Sequence, residues 1–225
     1  MNNLLHYPES CIVDRVVPKT MFYRFMEVNP KMKKRFVDDV VSITWLYKLS
    51  PDTLNVTSGD DMKEIEVFVA QLKAPESPTD LFTFIDTHMP HHIVFILQHE
   101  DHSLLLVNYK QWKDETLTQF RITQMFASPW MATSNLKLNI EGQTLPRIYD
   151  NFVAQVSGIG EHKAGKMEEI VALQQKIDRE SKELEKLEKR MRKEPQVSVQ
   201  MELHALARAK RKEVEQMKQE LNKLK

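Results

Sequence analysis

The fold is decided by the stretch His92-Ile-Val-Phe-Ile-Leu-Gln-His-Glu-Asp-His-Ser-Leu-Leu-Leu-Val-Asn-Tyr109. Two apolar runs of strand length, residues 93–97 and 104–107, flank the polar segment 98–103. This arrangement predicts two adjacent strands joined by a short turn. Neither run alternates with polar residues, so we expect other elements to cover both faces of these strands. The hairpin is therefore predicted to form the centre of a sheet.

The rest of the first 160 residues alternates irregularly between strand-like and helix-like segments. The clearest helix begins at Leu145, because apolar residues recur at helical spacing as far as Val156 and a Gly-Ile-Gly sequence then ends it. We predict an α+β domain over residues 1–160, with a mixed, largely antiparallel sheet and packed helices. Strands are predicted at residues 11–17, 43–49, 54–56, 65–72, 119–125 and 136–140, and the other helices at residues 18–26, 30–40 and 80–89.

The composition changes abruptly after residue 165, where a heptad pattern begins. The first apolar series is interrupted by Glu180 and the second by Lys210, with Pro195 between the two series. Matched arms around a proline turn predict an antiparallel coiled-coil helical hairpin over residues 161–225, with arms at about 167–193 and 197–225. An intermolecular coiled coil, which would make the chain an oligomer through this segment, is the alternative.

Composition and charge restrict the class of protein. The apolar fraction of 41% supports a core, and the single cysteine, Cys11, fits a reducing cytoplasm. No apolar run has membrane-spanning length, and the N-terminus shows no secretory signal, so we expect a cytoplasmic protein without a membrane contact. The net charge is zero, but residues 161–225 hold 17 Lys and Arg against 13 Asp and Glu. This basic tail permits a nucleic-acid partner, although a solvated pair of charged helices explains it equally well.

Two patterns that suggest ligand binding are weak. Residues 160–166 fit the first positions of a P-loop, but Met167 stands where Ser or Thr should hold magnesium, and a helix precedes the loop instead of a strand. Five histidines cluster between residues 88 and 102 without Cys or carboxylate residues at a known ligand spacing. We interpret them as polar turn residues, and we expect neither a metal nor a cofactor. The five are His88, His91, His92, His99 and His102.

Asp61, Gln71 and Lys73 suggest an enzymatic alternative. An acidic residue, then Gln-x-Lys on the next strand, then a helix and a strand, resembles the core of a PD-(D/E)xK-like nuclease. In that core, carboxylates hold magnesium and the lysine steadies the attacking water. Gln71 replaces the usual carboxylate, so a magnesium-dependent or a decayed nuclease is the runner-up hypothesis rather than the first.

Basic groups in the tail are the candidate binding residues. Such groups pair with phosphates, or with glutamates across and along the helices. No aromatic side chain is interleaved with them to stack on bases, which argues against sequence-specific reading of single strands. The candidates for contact with nucleic acid or a partner are Arg190, Arg192, Lys193, Arg208, Lys210, Arg211 and Lys212.

Several segments in this order resemble a bacterial family catalogued as domain of unknown function 4391. They are Val17-Pro-Lys19 before a Phe-Tyr-Arg-Phe helix, Leu49-Ser-Pro-Asp-Thr-Leu-Asn-Val56, Glu64-Ile-Glu-Val-Phe-Val-Ala-Gln-Leu-Lys73, Met89-Pro-His-His-Ile-Val-Phe-Ile-Leu-Gln98 and Leu184-Glu-Lys-Leu-Glu-Lys-Arg-Met-Arg-Lys-Glu194. The resemblance implies a small cytoplasmic protein encoded beside DNA adenine methyltransferases and helicases, in loci that look like restriction and phage-defence loci. It implies no catalytic residues.

These observations favour a non-enzymatic accessory subunit of a bacterial DNA restriction or anti-phage defence complex. The hairpin would act as an adaptor for a helicase or a DNA adenine methyltransferase, or touch duplex DNA through its basic groups. The nuclease and a self-associating coiled-coil protein are the alternatives.

Overall fold

A computed structural model of the chain describes residues 3–58, 62–112, 120–158 and 166–224. The chain divides into two compact units, residues 1–164 and residues 165–225. The first unit is a mixed sheet with packed helices, and the second is a pair of helices packed as a hairpin. The predicted fold class is therefore confirmed.

Among the described residues, the sheet of the first unit has seven strands, in the order β1-β2-β3-β4-β5-β6 with the short β7 paired to β5. All neighbouring strands are antiparallel except β3 and β4, which run parallel. The predicted central hairpin is β4 and β5, and the strand predicted at residues 119–125 is β6. The strands are β1 (Ile12–Val16), β2 (Val40–Leu49), β3 (Ile65–Leu72), β4 (His92–His99), β5 (His102–Trp112), β6 (Phe120–Ala127) and β7 (Met131–Ala132).

Three of the five helices described in the first unit, α2, α3 and α5, begin at a residue whose side chain caps them. Asn29 accepts a hydrogen bond from the backbone of Met32 at the start of α2, and Thr144 does the same for Arg147 in α5. Gly158 ends α5 in the left-handed conformation, at φ 71°, which glycine adopts without steric cost. The helices are α1 (Lys19–Phe25), α2 (Pro30–Asp39), α3 (Pro51–Leu54), α4 (Thr79–His88) and α5 (Leu145–Ser157).

Helices cover both faces of the sheet. One face packs under α1, α2 and α4, in a core that includes Phe36, Phe82 and Phe95. The other face receives α5, where Tyr149 and Phe152 are buried. The burial of β4 on both faces agrees with its uninterrupted apolar sequence, as expected for a strand at the centre of a sheet.

Two predicted strands are wrong. At residues 54–56, Ser50 forms a capping box with Thr53, which starts α3 and leaves Asn55 in a left-handed conformation at φ 54°. Residues 136–140 belong to no strand. The side chain of Gln155 makes the hydrogen bonds that a neighbouring strand would make. Its Nε2 donates to the carbonyl of Asn139, and its Oε1 accepts from the backbone nitrogen of Asn139.

The second unit consists of α6 (Met167–Lys193) and α7 (Val197–Leu224), which pack against each other along their length. The three residues between them contain Pro195. Apolar residues at the predicted heptad positions are buried between the arms, so the coiled coil closes within one chain. They are Ile170, Ile177, Leu203, Ala207, Val214, Met217 and Leu221.

Within the described ranges, no helix combines the length and the apolar character needed to cross a lipid bilayer.

Candidate functional site

The structure describes two of the three residues of the nuclease hypothesis. Asp61 lies outside the described residues. Gln71 and Lys73 lie together at the carboxyl end of β3, whereas Met62, the described residue after Asp61, precedes the start of that strand. The Lys73 ammonium donates to the carbonyl of Val37 over 2.7 Å. The buried Gln71 Oε1 has no hydrogen-bond partner.

The histidine-rich stretch is more than a set of polar turn residues. His99 and His102 do flank the β4–β5 turn, and His88 ends α4, where Nδ1 lies 2.8 Å from the carbonyl oxygen of Phe84. The turn interpretation is wrong for His92, which lies in β4 and is buried between two aromatic rings. His91 lies in the bend before β4, as expected, and also contacts a carboxylate. The P-loop-like segment, residues 160–166, lies almost entirely outside the described residues.

A buried ion pair joins α4 to β5. Lys110 Nζ lies 2.5 Å from Asp86 Oδ1, and neither side chain is exposed to solvent. Asn108 donates to the other carboxylate oxygen over 2.8 Å, and Tyr149 donates to the backbone carbonyl of Asn108 over 2.5 Å. Burial raises the pKa of Asp86, while Lys110 and Asn108 act in the opposite direction. The pair holds the helix to the sheet in one fixed arrangement.

Lys110 also reaches the backbone that leads into β4. Its ammonium donates to the backbone carbonyl of His91 over 2.7 Å and to that of Met89 over 3.3 Å. These bonds fix the backbone that enters β4 and, with it, the position of the His91 ring.

Glu64, Glu66 and His91 come together beside this lysine. Their ligand atoms all lie within 4.8 Å of one another. The parallel register of β3 and β4 brings these side chains together. Ile65 is paired with His92, so Glu64 and Glu66 on one strand lie close to His91 on the other. Within the described ranges, this is the one group of three histidine, cysteine or carboxylate side chains close enough to share a metal ion.

The two glutamates differ in environment. Glu64 accepts a salt bridge from Lys48 Nζ over 2.6 Å through Oε2, and its Oε1 lies 3.3 Å from His91 Nε2. Glu66 is only 4% exposed, and its Oε2 has no hydrogen-bond partner. Burial, reinforced by the neighbouring Glu64, raises the pKa of Glu66 to about 8. Burial lowers the pKa of His91, although Glu64 opposes this shift.

Glu66 also lines an apolar cavity of about 330 Å³ between α1, β1 and the sheet. Arg15 is the other charged residue on its wall. Val16 and Phe25 stand at its exposed rim, with 62% and 76% of their surface accessible. The remaining lining residues include Phe22, Met26, Trp45, Phe68 and Met89.

In the hairpin, the two polar interruptions of the heptads meet each other. Lys210 forms a salt bridge with Glu180, which is only 8% exposed and is also bonded by Arg179. These two cations lower the pKa of Glu180, and Glu180 raises the pKa of Lys210. A buried polar pair of this kind fixes the register of a coiled coil.

The seven cations proposed for binding fall into two groups. Arg192, Lys210 and Arg211 are engaged with glutamates of the hairpin itself, Glu188 serving both arginines. The other four are exposed and form no ion pair in the part of the chain that the structure describes. They are Arg190, Lys193, Arg208 and Lys212.

Sequence reasoning missed Glu64 and Glu66, although one signal for them existed. Glu66 interrupts the apolar run 65–70 at a position where both strand faces are covered, so its carboxylate had to be buried. Its approach to His91 depends on the register of two parallel strands, which the sequence does not reveal.

Searches of the curated proteins and of the solved structures each returned no match. A family model does match, and it covers residues 5–224, which include both the sheet and the hairpin. The chain therefore belongs to the family described as domain of unknown function 4391.

Proposed function

We propose that this chain is a non-enzymatic accessory subunit of a bacterial DNA restriction or anti-phage defence complex. It acts in the cytoplasm as an adaptor for a helicase or a DNA adenine methyltransferase. The hairpin is the docking element and the sheet unit is the platform that carries it. Family membership supports a role in such a complex, because the resemblance to this family implies genes beside helicases and DNA adenine methyltransferases.

The observation that carries the proposal is the end of the hairpin, here called the tip surface, formed by Arg190, Lys193, Val197 and Met201. Val197 and Met201 are one helical turn apart and expose 68% and 70% of their surface. The two cations lie in the last turn of α6 and form no ion pair among the described residues. Exposed apolar side chains rimmed by charge are typical of a surface that binds another protein.

The apolar seam of the hairpin is not part of this surface, since the two arms already fill it. A partner must therefore bind the outside of the hairpin. The exposed apolar pair favours a protein partner over bare phosphates, and the two cations favour an acidic rim on that partner.

Arg208 and Lys212 form a second basic group on one face of α7, one turn apart. They lie about 17 to 23 Å along the helix from its start, at 1.5 Å per residue. This group is suited to phosphate contact when the complex sits on duplex DNA.

The test is an affinity pull-down of the tagged, full-length protein from its native cell, with half of each sample treated with nuclease. We expect recovery of a helicase or a methyltransferase that survives nuclease treatment. Arg190→Gln combined with Lys193→Gln should abolish this recovery. Glutamine keeps the helix intact while it removes the charge.

The matched control is Lys176→Gln combined with Lys182→Gln, which removes two exposed cations from the same helix away from the tip. This control should recover the partner as well as the parent protein does. Equal recovery by the tip variant would contradict the proposal. Recovery of nucleic acid alone would instead indicate direct DNA binding.

A magnesium-dependent nuclease is the second candidate, and the order of elements favours it. Helix α2, antiparallel β2 and β3, helix α4 and parallel β4 follow one another as that hypothesis requires, with Gln71 and Lys73 at the end of β3. If it is correct, Lys73→Ala should remove magnesium-dependent cleavage of DNA. Absence of cleavage by the parent protein with any divalent metal would end this hypothesis.

Self-association through the hairpin is the third hypothesis. Because the seam is filled within one chain, we expect a mass that does not change with concentration in light scattering. A mass that rises towards a dimer with concentration would favour a coiled coil between chains.

A further inference from the structure

We propose that Glu64, Glu66 and His91 form a binding site for a divalent transition-metal ion, for which Zn²⁺ is the probe. This inference concerns the sheet unit and is independent of the docking role of the hairpin. Carboxylate oxygens and imidazole nitrogens are both protein ligands of such ions. Imidazole disfavours calcium and magnesium, which prefer oxygen ligands.

The geometry fits an ion without a large rearrangement. Glu64 Oε1 and His91 Nε2 are 3.3 Å apart. Two ligands on a tetrahedral zinc ion, each about 2.1 Å from the metal, are separated by about 3.4 Å. The third ligand atom, on Glu66, lies within 4.8 Å of both, so a small side-chain rotation completes the set.

Glu66 provides an independent indication of a ligand. The residue is only 4% exposed, yet its Oε2 atom has no hydrogen-bond donor. Buried carboxylate oxygens almost always have a partner, because an unpaired one forfeits its hydration without compensation. A metal ion at this point would supply that partner.

The surrounding residues place the other two ligands. Lys48, on β2, occupies Glu64 Oε2 and leaves Oε1 directed at His91. Lys110, on β5, holds the His91 carbonyl and is itself neutralised by Asp86 of α4. Outer contacts of this kind orient metal ligands in proteins.

Three ammonium groups, those of Lys48, Lys63 and Lys110, act on His91 and oppose a cation at this site. Salt bridges to Glu64 and Asp86 offset two of them.

Three protein ligands leave a coordination position open, as in sites that bind or activate a further molecule. Glu66 also lines the apolar cavity beneath α1, so the site and the cavity share a wall. A ligand with an apolar body and one metal-binding oxygen or nitrogen fits this combination.

The experiment is calorimetric titration of the tag-free, full-length protein with Zn²⁺, since a histidine tag would itself bind the ion. We expect one ion per chain. Glu66→Gln and His91→Ala should each weaken binding at least about 100-fold, the upper end of what losing even an outer-shell partner costs. His102→Ala is the matched control, because this exposed histidine of the same stretch lies outside the group.

Thermal unfolding provides a second measurement that does not depend on calorimetry. Zn²⁺ should raise the Tm of the parent protein and of His102→Ala but leave that of Glu66→Gln unchanged. Without metal, Glu66→Gln should fold at least as stably as the parent, since it removes a buried ionisable group. Failure of the parent protein to bind one ion, or binding that Glu66→Gln leaves intact, would overturn the proposal and leave a structural carboxyl pair.

Discussion

His92 should control the acid sensitivity of the sheet unit. Its ring packs against those of Phe120 and Tyr149, with centroids 5.0 and 4.5 Å apart. Burial, assisted by the charge of Lys110, lowers its pKa from 6.5 to about 3. At a pH between these two pKa values, His92 binds a proton in the unfolded chain but not in the folded chain, so acid favours unfolding.

The size of the effect follows from the two pKa values. The stability that the neutral ring contributes is complete above pH 6.5 and is lost as the pH falls towards 3. At about 1.36 kcal/mol per pH unit, acidification from pH 7 to pH 4 should cost about 3 kcal/mol through this residue alone. That is a large part of the roughly 5 to 15 kcal/mol that stabilises a typical domain.

The perturbation is His92→Phe, which keeps an aromatic ring between the other two and removes the titration. At pH 7 the variant should differ from the parent by less than about 1.5 kcal/mol, as expected for a swap of similar volume. At pH 4 it should be more stable than the parent by about 3 kcal/mol, allowing for that offset. All other titrating groups are shared by the two proteins and cancel in the comparison.

Urea unfolding followed by tryptophan fluorescence is a suitable assay, because the three tryptophans, Trp45, Trp112 and Trp130, all belong to the first unit. His102→Phe provides the control, since that histidine is exposed beside Asp101. Its loss of stability between pH 7 and pH 4 should match that of the parent. An equal loss in His92→Phe would refute the reasoning.

Three further predictions test the network and the hairpin. Asp86→Asn leaves the Lys110 charge buried without a counter-ion and should lower the free energy of unfolding in urea by about 3–5 kcal/mol. The added change Lys110→Met should restore most of this loss, and a double variant no more stable than the single one would count against the prediction. Thr144→Ala removes the N-cap of α5 and should cost about 1 kcal/mol, so an unchanged unfolding midpoint would be inconsistent with the cap. Glu180→Gln should lower the melting temperature of the hairpin more than Glu183→Gln does, because Glu180 is buried in the seam and Glu183 is exposed. Circular dichroism at 222 nm, which reports on helix content, follows the melting.

The lowered pKa of Glu180 gives that last comparison a pH dependence. Its salt bridge stabilises the hairpin fully above the pKa of the unfolded glutamate, and the contribution disappears as the pH falls through the lower, folded pKa. The difference between the two hairpin variants should therefore shrink in acid.

The sequence was sufficient where burial produces a recognisable hydrophobic pattern. The apolar spacing from Leu145 to Val156 marked α5 because one face of that helix is buried, and the runs 93–97 and 104–107 marked two central strands. Residues 136–140 show the limit of this argument. Leu136 and Leu138 are buried as in a strand, but Gln155 satisfies the backbone there, and no local pattern distinguishes the two cases.

The candidate metal site illustrates a second limit. Glu64 and His91 are separated by a whole helix in the chain, and the parallel register of β3 and β4 brings them together. Hydrophobic pattern identifies such strands but not how far one is shifted along the other. In the hairpin, by contrast, the two polar interruptions could be matched from the sequence, because an antiparallel seam pairs its positions in reverse order.

In-cell photo-crosslinking determines whether the tip surface of the hairpin contacts a defence enzyme. A photo-reactive amino acid would replace Lys193 in one strain and Lys182, an exposed residue of the same helix, in another. We expect a crosslink to a helicase or a DNA methyltransferase from position 193 and none from position 182. The absence of a protein crosslink at position 193, or equal crosslinking at both positions, would contradict docking through the tip surface.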